Sequence, residues 1–258
     1  MTVKTINGIA TASIKTAMGV AVASIKTWGA ESYAASDPNW ASVVLLAGND
    51  NKADATTAFD DQSASNHTLT AVAQVQYDTA QAPTGMTSSI LFDGSGDRID
   101  AANHANWQFS SGDWTVEIPI RFVSTASDRT IYNFGYQNNV ARSLVIYYSA
   151  TGPSLHVAQS TDGTANSDVA RTWSPSIDTW YWLQVRRSGA SVQIAIDGTQ
   201  VGADISAVTL YASAETLQLA GTSSAAGNTW NGWFGPLRVT KGVARAFGAM
   251  PSLPLPID

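Results

Sequence analysis

Three glutamates, three histidines and a scatter of aspartates are the groups in this chain that could do chemistry, and their spacing limits what they could do. Cleaving a glycosidic bond takes two carboxyl groups facing each other across it, one as acid and one as nucleophile or base. Glu31, Glu117 and Glu215 stand far apart, and the residues two and five beyond Glu117 are Pro119 and Phe122 rather than acids. Glu117 reads as an outward-facing charge on a strand, which leaves an Asp pair assembled from loops as the route to hydrolysis. His67, His104 and His156 are isolated in sequence, without the H-E-x-x-H spacing of a zinc site. Each reads as a surface or packing residue. A Ser-His-Asp set could be drawn around any of them, so none carries weight from sequence.

Oxygen-rich loops offer a second chemistry. Calcium takes six to eight oxygen ligands from loops rich in Asp and Asn. Asp60, Asp61 and Asn66 form one such group, and Asp93 with Asp97 in DGSGD forms another. Tight turns use the same residues. The DGSGD loop reads as a turn, so a calcium site falls on Asp60, Asp61 and Asn66. Sugar recognition needs aromatic faces beside polar groups in loops. Tyr136 in GYQNN and Trp230 in GNTWNG fit that description, and they are the carbohydrate-binding residues expected here. Trp107 in HANWQF reads as a core plug, and Trp114, Trp180, Trp182 and Trp233 fall on strand patterns.

Strands must position these groups. Trp114, Val116, Ile118, Ile120 and Phe122 alternate with Thr115, Glu117, Pro119 and Arg121, the period of a half-buried strand. Similar segments recur at 42–47, 88–92, 98–101, 130–134, 143–149, 154–159, 180–187, 191–196, 216–220 and 233–240, with Gly-rich turns between them. Asp197-Gly198 between two such runs is a hairpin signal. The best short helix is 101–107. Many strands at regular spacing predict an all-β fold, a two-sheet antiparallel jelly-roll sandwich. The PSLPLPID tail is too proline-rich for a central strand and is expected along an edge or pointing away.

The chain opens differently. Residues 7–17, NGIATASIKTA, are echoed by residues 18–28, MGVAVASIKTW, so the unit repeats after eleven residues. Ala21-Val22-Ala23 mimics a signal-peptide cleavage site, but Lys15 interrupts the apolar stretch and the alternation is that of short strands. Strands this few cannot bury a core alone. Residues 1–30 are therefore expected to be an attachment or oligomerisation segment, with Ile9, Ile14, Val20, Val22 and Ile25 as its apolar contacts. Residues 31–39 are expected to be a linker, and 40–258 the sandwich.

Charge and composition exclude several classes. The net charge of −6 argues against nucleic acid, whose phosphates need a basic footprint. Lys4, Lys15 and Lys26 make the head basic, whereas residues 30–100 carry ten acids against Lys52 and Arg98. With no cysteine, disulfides and thiolate metal sites are excluded. No segment approaches the roughly 20 apolar residues of a membrane span, so a soluble chain without membrane insertion is expected.

The order VVLLAGND, FDDQSASNHTLTA, SSILFDGSGDRIDAANHANWQFSSGDWTVEIPIRF, DTWYWLQVRRSGASVQIAIDGTQVG and NGWFGPLRVTKGVAR resembles the concanavalin A-like lectin/glucanase superfamily, in the laminin-G-like form of bacteriophage and prophage virion proteins. The resemblance covers about residues 40–256. Its most specific parts are the D-G-S-G-D loop, the W-x-x-x-R-x-G…DG hairpin and the R-x-T-K-G-V-A-R close. The N-terminal repeats are similar to short repeats that precede such domains in phage virion proteins. Glucanases of the superfamily carry an E-x-D-x-x-E strand, which this chain lacks, so the resemblance implies a non-enzyme. It also implies a virion structural or accessory protein (tail fibre, spike or decoration protein) assembled in the host cytoplasm. Its partners would be other virion proteins through residues 1–30, copies of itself in a trimer, and host-surface polysaccharide. Calcium is the one cofactor implied. The alternatives are a secreted bacterial carbohydrate-binding module or carbohydrate-active enzyme, and a ligand-free decoration protein.

A head that needs a partner makes a direct prediction: deleting residues 1–29 should convert an oligomer into a monomer, read by light scattering. An unchanged mass would reject the attachment role.

Overall fold

The computed structural model describes residues 36–137, 140–224 and 228–257, together with four two-residue strands nearer the start. The chain divides into two units, Met1–Ala35 and Ser36–Asp258. In the first, β1 (Thr5–Ile6) pairs antiparallel with β2 (Ile9–Ala10), and β3 (Thr16–Ala17) with β4 (Val20–Ala21). The partners Thr5↔Ala10 and Thr16↔Ala21 sit eleven residues apart, so the sequence repeat is a repeat of one strand pair. Ile9 and Val20 lie in β2 and β4; Ile14, Val22, Ile25 and residues 31–35 of the expected linker lie outside the described residues.

The second unit is all-β. Its first strands are β5 (Val43–Ala47), β6 (Leu69–Val72), β7 (Gln76–Asp78), β8 (Ser89–Asp93), β9 (Arg98–Ala101) and β10 (Trp114–Phe122). The middle of the chain gives β11 (Arg129–Phe134), β12 (Leu144–Ser149), β13 (Ser154–Gln159), β14 (Ser167–Thr172), β15 (Trp180–Ser188) and β16 (Ser191–Ile196). Then follow β17 (Thr199–Gln200), β18 (Ile205–Ser206), β19 (Leu217–Leu219), β20 (Asn231–Phe234) and β21 (Leu237–Lys241). They form two antiparallel sheets packed as a sandwich. The seven-stranded sheet has the order β14-β13-β12-β11-β19-β9-β6. In the ten-stranded sheet β10 is the axis: β15 flanks it over nearly its whole length, while β21 and β20 share its other edge.

Alternation decides which face is buried. Trp114, Val116, Ile118, Ile120 and Phe122 of β10 meet Leu144, Ile146, Tyr148, Leu155 and Val157 of the opposite sheet in one core. The Asp197-Gly198 hairpin forms as expected, with positive φ at both residues. The helix expected over 101–107 is a single 3-10 turn, Ala105–Trp107, whose first turn is capped by His104 Nδ1 accepting from Asn106 N–H. Trp107 plugs the core. The strand expected over 233–240 is two strands, because Gly235-Pro236 breaks the ladder between β20 and β21.

The outer face of the ten-stranded sheet is also covered, which corrects three expectations. The tail does not lie along an edge or point away. Leu253 and Leu255 are buried there with Val43, Leu46, Met86 and Trp182, in a second core. Asn49 clamps the tail, accepting from Leu255 N–H and donating to its carbonyl. Glu117 is not a solvated charge, and Asp37 is not part of a loose linker. Both are buried among charges: Arg238 reaches Asp37 at 3.0 Å and Glu117 at 2.7 Å, and Arg245 reaches Asp37 at 2.6 Å and Glu117 at 3.5 Å. The two arginines are the first and last residues of the R-x-T-K-G-V-A-R motif.

Burial alone would raise the Asp37 pKa, but bonds from Arg245 and the Asn39 N–H and the charges of both arginines outweigh it, so the group titrates below 3.8. A carboxyl with a depressed folded pKa stabilises the fold above its unfolded value, and that stabilisation is lost as pH falls through the folded value. Asp37→Ala should cost about 3–5 kcal/mol at neutral pH, since it leaves two buried guanidiniums to share the one carboxylate of Glu117. Thermal unfolding followed from neutral pH to about pH 2 should then show a shallower acid limb in the variant than in the parent. Equal limbs would remove Asp37 from the pH dependence.

Candidate functional site

The seven-stranded sheet turns its outer face to solvent, and a cavity of about 240 Å³ opens there. Its wall is Asp128, Thr130, Asn133, Tyr136, Val145, Tyr147, Thr222, Ser224 and Asn228. Strand alternation explains the set. Leu144, Ile146 and Tyr148 of β12 point into the core, which sends Val145 and Tyr147 outward. In β11 a bulge between Thr130 and Tyr132 re-aims the strand, so that Thr130 and Asn133 share the outer face. The 222–228 segment supplies the remaining hydroxyls and an amide.

Tyr147 is fixed by its neighbours. Its ring stacks on His156 at 4.5 Å, and its hydroxyl donates to Asp168 Oδ2 at 2.6 Å. His156 lies 3.0 Å from Asp168 Oδ1 through Nδ1 and 3.0 Å from Ser154 Oγ through Nε2. The structure thus assembles a Ser-His-Asp set that the sequence could not single out. Ser154 is buried at 4% exposure and Tyr147 occupies the second oxygen of Asp168, so the set clamps the Tyr147 ring. Burial and the bond to Asp168 push the Tyr147 hydroxyl pKa upward, which keeps it a donor.

Tyr136 stands at the same cavity. Asn133 Oδ1 accepts from its backbone N–H at 2.9 Å, and the Arg142 guanidinium lies 5.7 Å from its ring centre. The Tyr136 hydroxyl is buried without a hydrogen-bond partner, and burial raises its pKa. Asp128 accepts from Ser149 Oγ and from Ala150 N–H, both through Oδ1.

Trp230 is elsewhere. It is fully buried against Phe122 at 4.4 Å and Phe234 at 4.8 Å, so it offers no stacking face to solvent. In a polar loop its one large apolar side chain turned inward, and Asn228 reached the cavity instead. The expected calcium set also comes apart. Asp61 spends Oδ1 on the N–H groups of Leu46 and Ser63, and Oδ2 on Ser63 Oγ and His67 N–H. Asp60 pairs with Lys52 at 2.6 Å, and Asn66 adopts a positive φ as a turn residue. Among the described residues no group of three or more His, Cys, Asp or Glu could hold a metal. In DGSGD, Asp97 accepts from Gln74 and Asp93 N–H, and Gly94 and Gly96 take positive φ, the turn expected there.

His67 and His104 are not isolated in space: their rings lie 4.7 Å apart beside Trp107. Burial foremost, and then His104, lower the His67 pKa below 6.5 against the opposing pull of Asp61. Tyr147, Asp128, Asn133, Thr222, Ser224 and Asn228 were not singled out from sequence. One signal was available: in LVIYY the outward positions are Val145 and Tyr147, apolar and aromatic where a solvated face would be polar.

This is the fold of a two-sheet antiparallel jelly-roll sandwich, and comparison with known proteins bears on that fold alone. No family model matches the chain, and no curated protein sequence does. Solved structures do match. The binding domain of Paraclostridial Mosquitocidal Protein 1 is 13% identical, with a TM-score of 0.60 over 83% of this chain and 50% of that one. The botulinum neurotoxin serotype D binding domain is 15% identical, with a TM-score of 0.58 over 81% and 50%. The binding domain of botulinum neurotoxin DC in complex with SialylT is 13% identical, with a TM-score of 0.56 over 80% and 49%. This chain therefore aligns with about half the length of each.

The burial of Trp230 separates stability from binding at that position. Trp230→Ala should destabilise the sandwich by about 3–5 kcal/mol in chemical denaturation. A stability within about 0.5 kcal/mol of the parent would return Trp230 to the surface.

Proposed function

We propose that the sandwich is a non-enzymatic glycan-binding module of a phage virion accessory protein, taking host-surface carbohydrate in the cavity on its seven-stranded face. The observation that carries the reading is the cavity wall. Tyr136 and Tyr147 supply ring surface, while Asn133, Asn228, Thr130, Thr222 and Ser224 supply amides and hydroxyls at close quarters. A pyranose has the same two-sided character, an apolar face of C–H groups and a rim of hydroxyls. The rigid clamp on Tyr147 adds preorganisation, which lowers the entropic cost of binding. Fold likeness to the binding domains of other proteins supports a binding role.

The virion setting rests on the resemblance of the segments from residue 40 onward and of the N-terminal repeats. In this reading residues 1–30 join other virion proteins and hold the protein as a trimer. The eleven-residue recurrence of one strand pair supports an assembly element, because so short a unit gains its stability from partners.

Purified protein on a glycan array should bind a defined subset of oligosaccharides, and Tyr147→Ala should weaken that binding about tenfold in a variant that still unfolds cooperatively well above the assay temperature. Binding should be the same with calcium or with chelator, because the Asp61 oxygens are already committed. An array without any positive glycan would reject the reading.

A further inference from the structure

The charges around the cavity narrow the ligand. Of the nine wall residues one is charged, the acid Asp128. Its Oδ1 already accepts two hydrogen bonds, while Oδ2 takes part in neither. A second acid, Asp168, stands directly behind Tyr147. Two arginines come near, and neither is one of the wall residues. Arg142 donates to the Thr164 carbonyl and to Asn166 Oδ1 while its guanidinium covers the Tyr136 ring. Arg129 is buried and donates to the Thr229 carbonyl. The whole chain carries −6. Recognition of a sugar carboxylate uses a cationic fork or converging N–H donors, and here the charged group at the wall has the opposite sign.

We propose that this cavity selects uncharged sugars, neutral hexoses and N-acetylhexosamines, and rejects glycans that end in sialic or uronic acid. The inference rests on the glycan-binding reading above and adds a charge rule to it. Discrimination comes from placing a sugar carboxylate beside Asp128 in a partly enclosed site, where like charges repel more than they do in water. Asp128 then serves the ligand as a hydrogen-bond acceptor for hydroxyls and simultaneously as a filter against anions. Part of that repulsion crosses solvent and is screened by salt.

The test is an array on which neutral oligosaccharides are printed beside the same scaffolds capped with sialic or glucuronic acid, probed at low and high salt. The parent protein should bind at least one neutral member at least tenfold more tightly than its acidic counterpart, and the gap should narrow at high salt. Asp128→Asn keeps an oxygen for Ser149 and Ala150 and removes the charge, so it should shrink the gap at least threefold. Asn228→Lys places a cation at an exposed wall position and should recruit acidic glycans, which keeps the question open to measurement if Asp128→Asn folds poorly. Equal or tighter binding of the acidic members by the parent protein would overturn the charge rule and leave the glycan-binding reading intact. A gap unmoved by both variants would overturn the assignment to Asp128. No binding to any glycan would overturn both readings together.

Discussion

Asp37, Glu117, Arg238 and Arg245 sit out of water with two charges of each sign, and each arginine touches both carboxylates. Taking such ions from water is costly, and only close mutual contact and further hydrogen bonds offset the loss. Those further bonds are present: Gln184 donates to Glu117 at 2.8 Å, Arg245 Nε donates to Thr240 Oγ1, and Arg245 N–H is accepted by Thr115 Oγ1. The cluster joins the first residues of the sandwich to β10 and β21 and to the segment beyond β21. These parts lie far apart in sequence, so the charges specify a register that hydrophobic burial alone leaves open. It also gives a physical meaning to R-x-T-K-G-V-A-R. The motif places two guanidiniums seven residues apart so that both fall on one pair of acids.

The cluster and the tail together make the two outer faces of the sandwich unlike. On the ten-stranded side Leu253 and Leu255 close over Val43, Leu46 and Trp182, and the face becomes a second interior. On the seven-stranded side Tyr147 and His156 keep partial contact with solvent, and the bulge in β11 hollows out room beside Val145 and Tyr147. A cavity stands open on that side, while segments of the chain outside the strands cover the other.

Much of the architecture was legible from alternation. The inward set of β10, the Asp197-Gly198 hairpin, the DGSGD turn and the role of Trp107 follow from local patterns that the sandwich reinforces. What escaped was set by neighbours distant in sequence. Glu117 has the spacing of a solvated residue, and only the return of residues 37 and 238–245 covers it. PSLPLPID is poor strand material, yet as an extended segment it needs only apolar contact and the Asn49 clamp to be held. The site was read only in part. Tyr136 does stand at the cavity, but loop composition cannot tell whether an aromatic turns in or out, and Trp230 turns in. Asp61 resembled a calcium ligand because an oxygen that accepts backbone N–H groups and an oxygen that binds a cation come from the same residue type. β14 carries one large apolar residue, Val169, in SDVART, and is held by its ladder to β13 rather than by a hydrophobic stripe.

The position of Asp37 has a mechanical side. The polypeptide comes into the sandwich on the covered face, whereas the cavity opens on the other. Force applied to the backbone at the start of the sandwich would meet the bonds of Asp37 before it reached any strand of either sheet. The first bonds to carry that load would be those to Arg238 and Arg245, both shielded from water, with Arg238 on β21, a strand that has hydrogen-bonded neighbours on both sides. A pull at that point loads a multivalent ionic latch before it can peel a strand, and the sandwich is braced at its first residues.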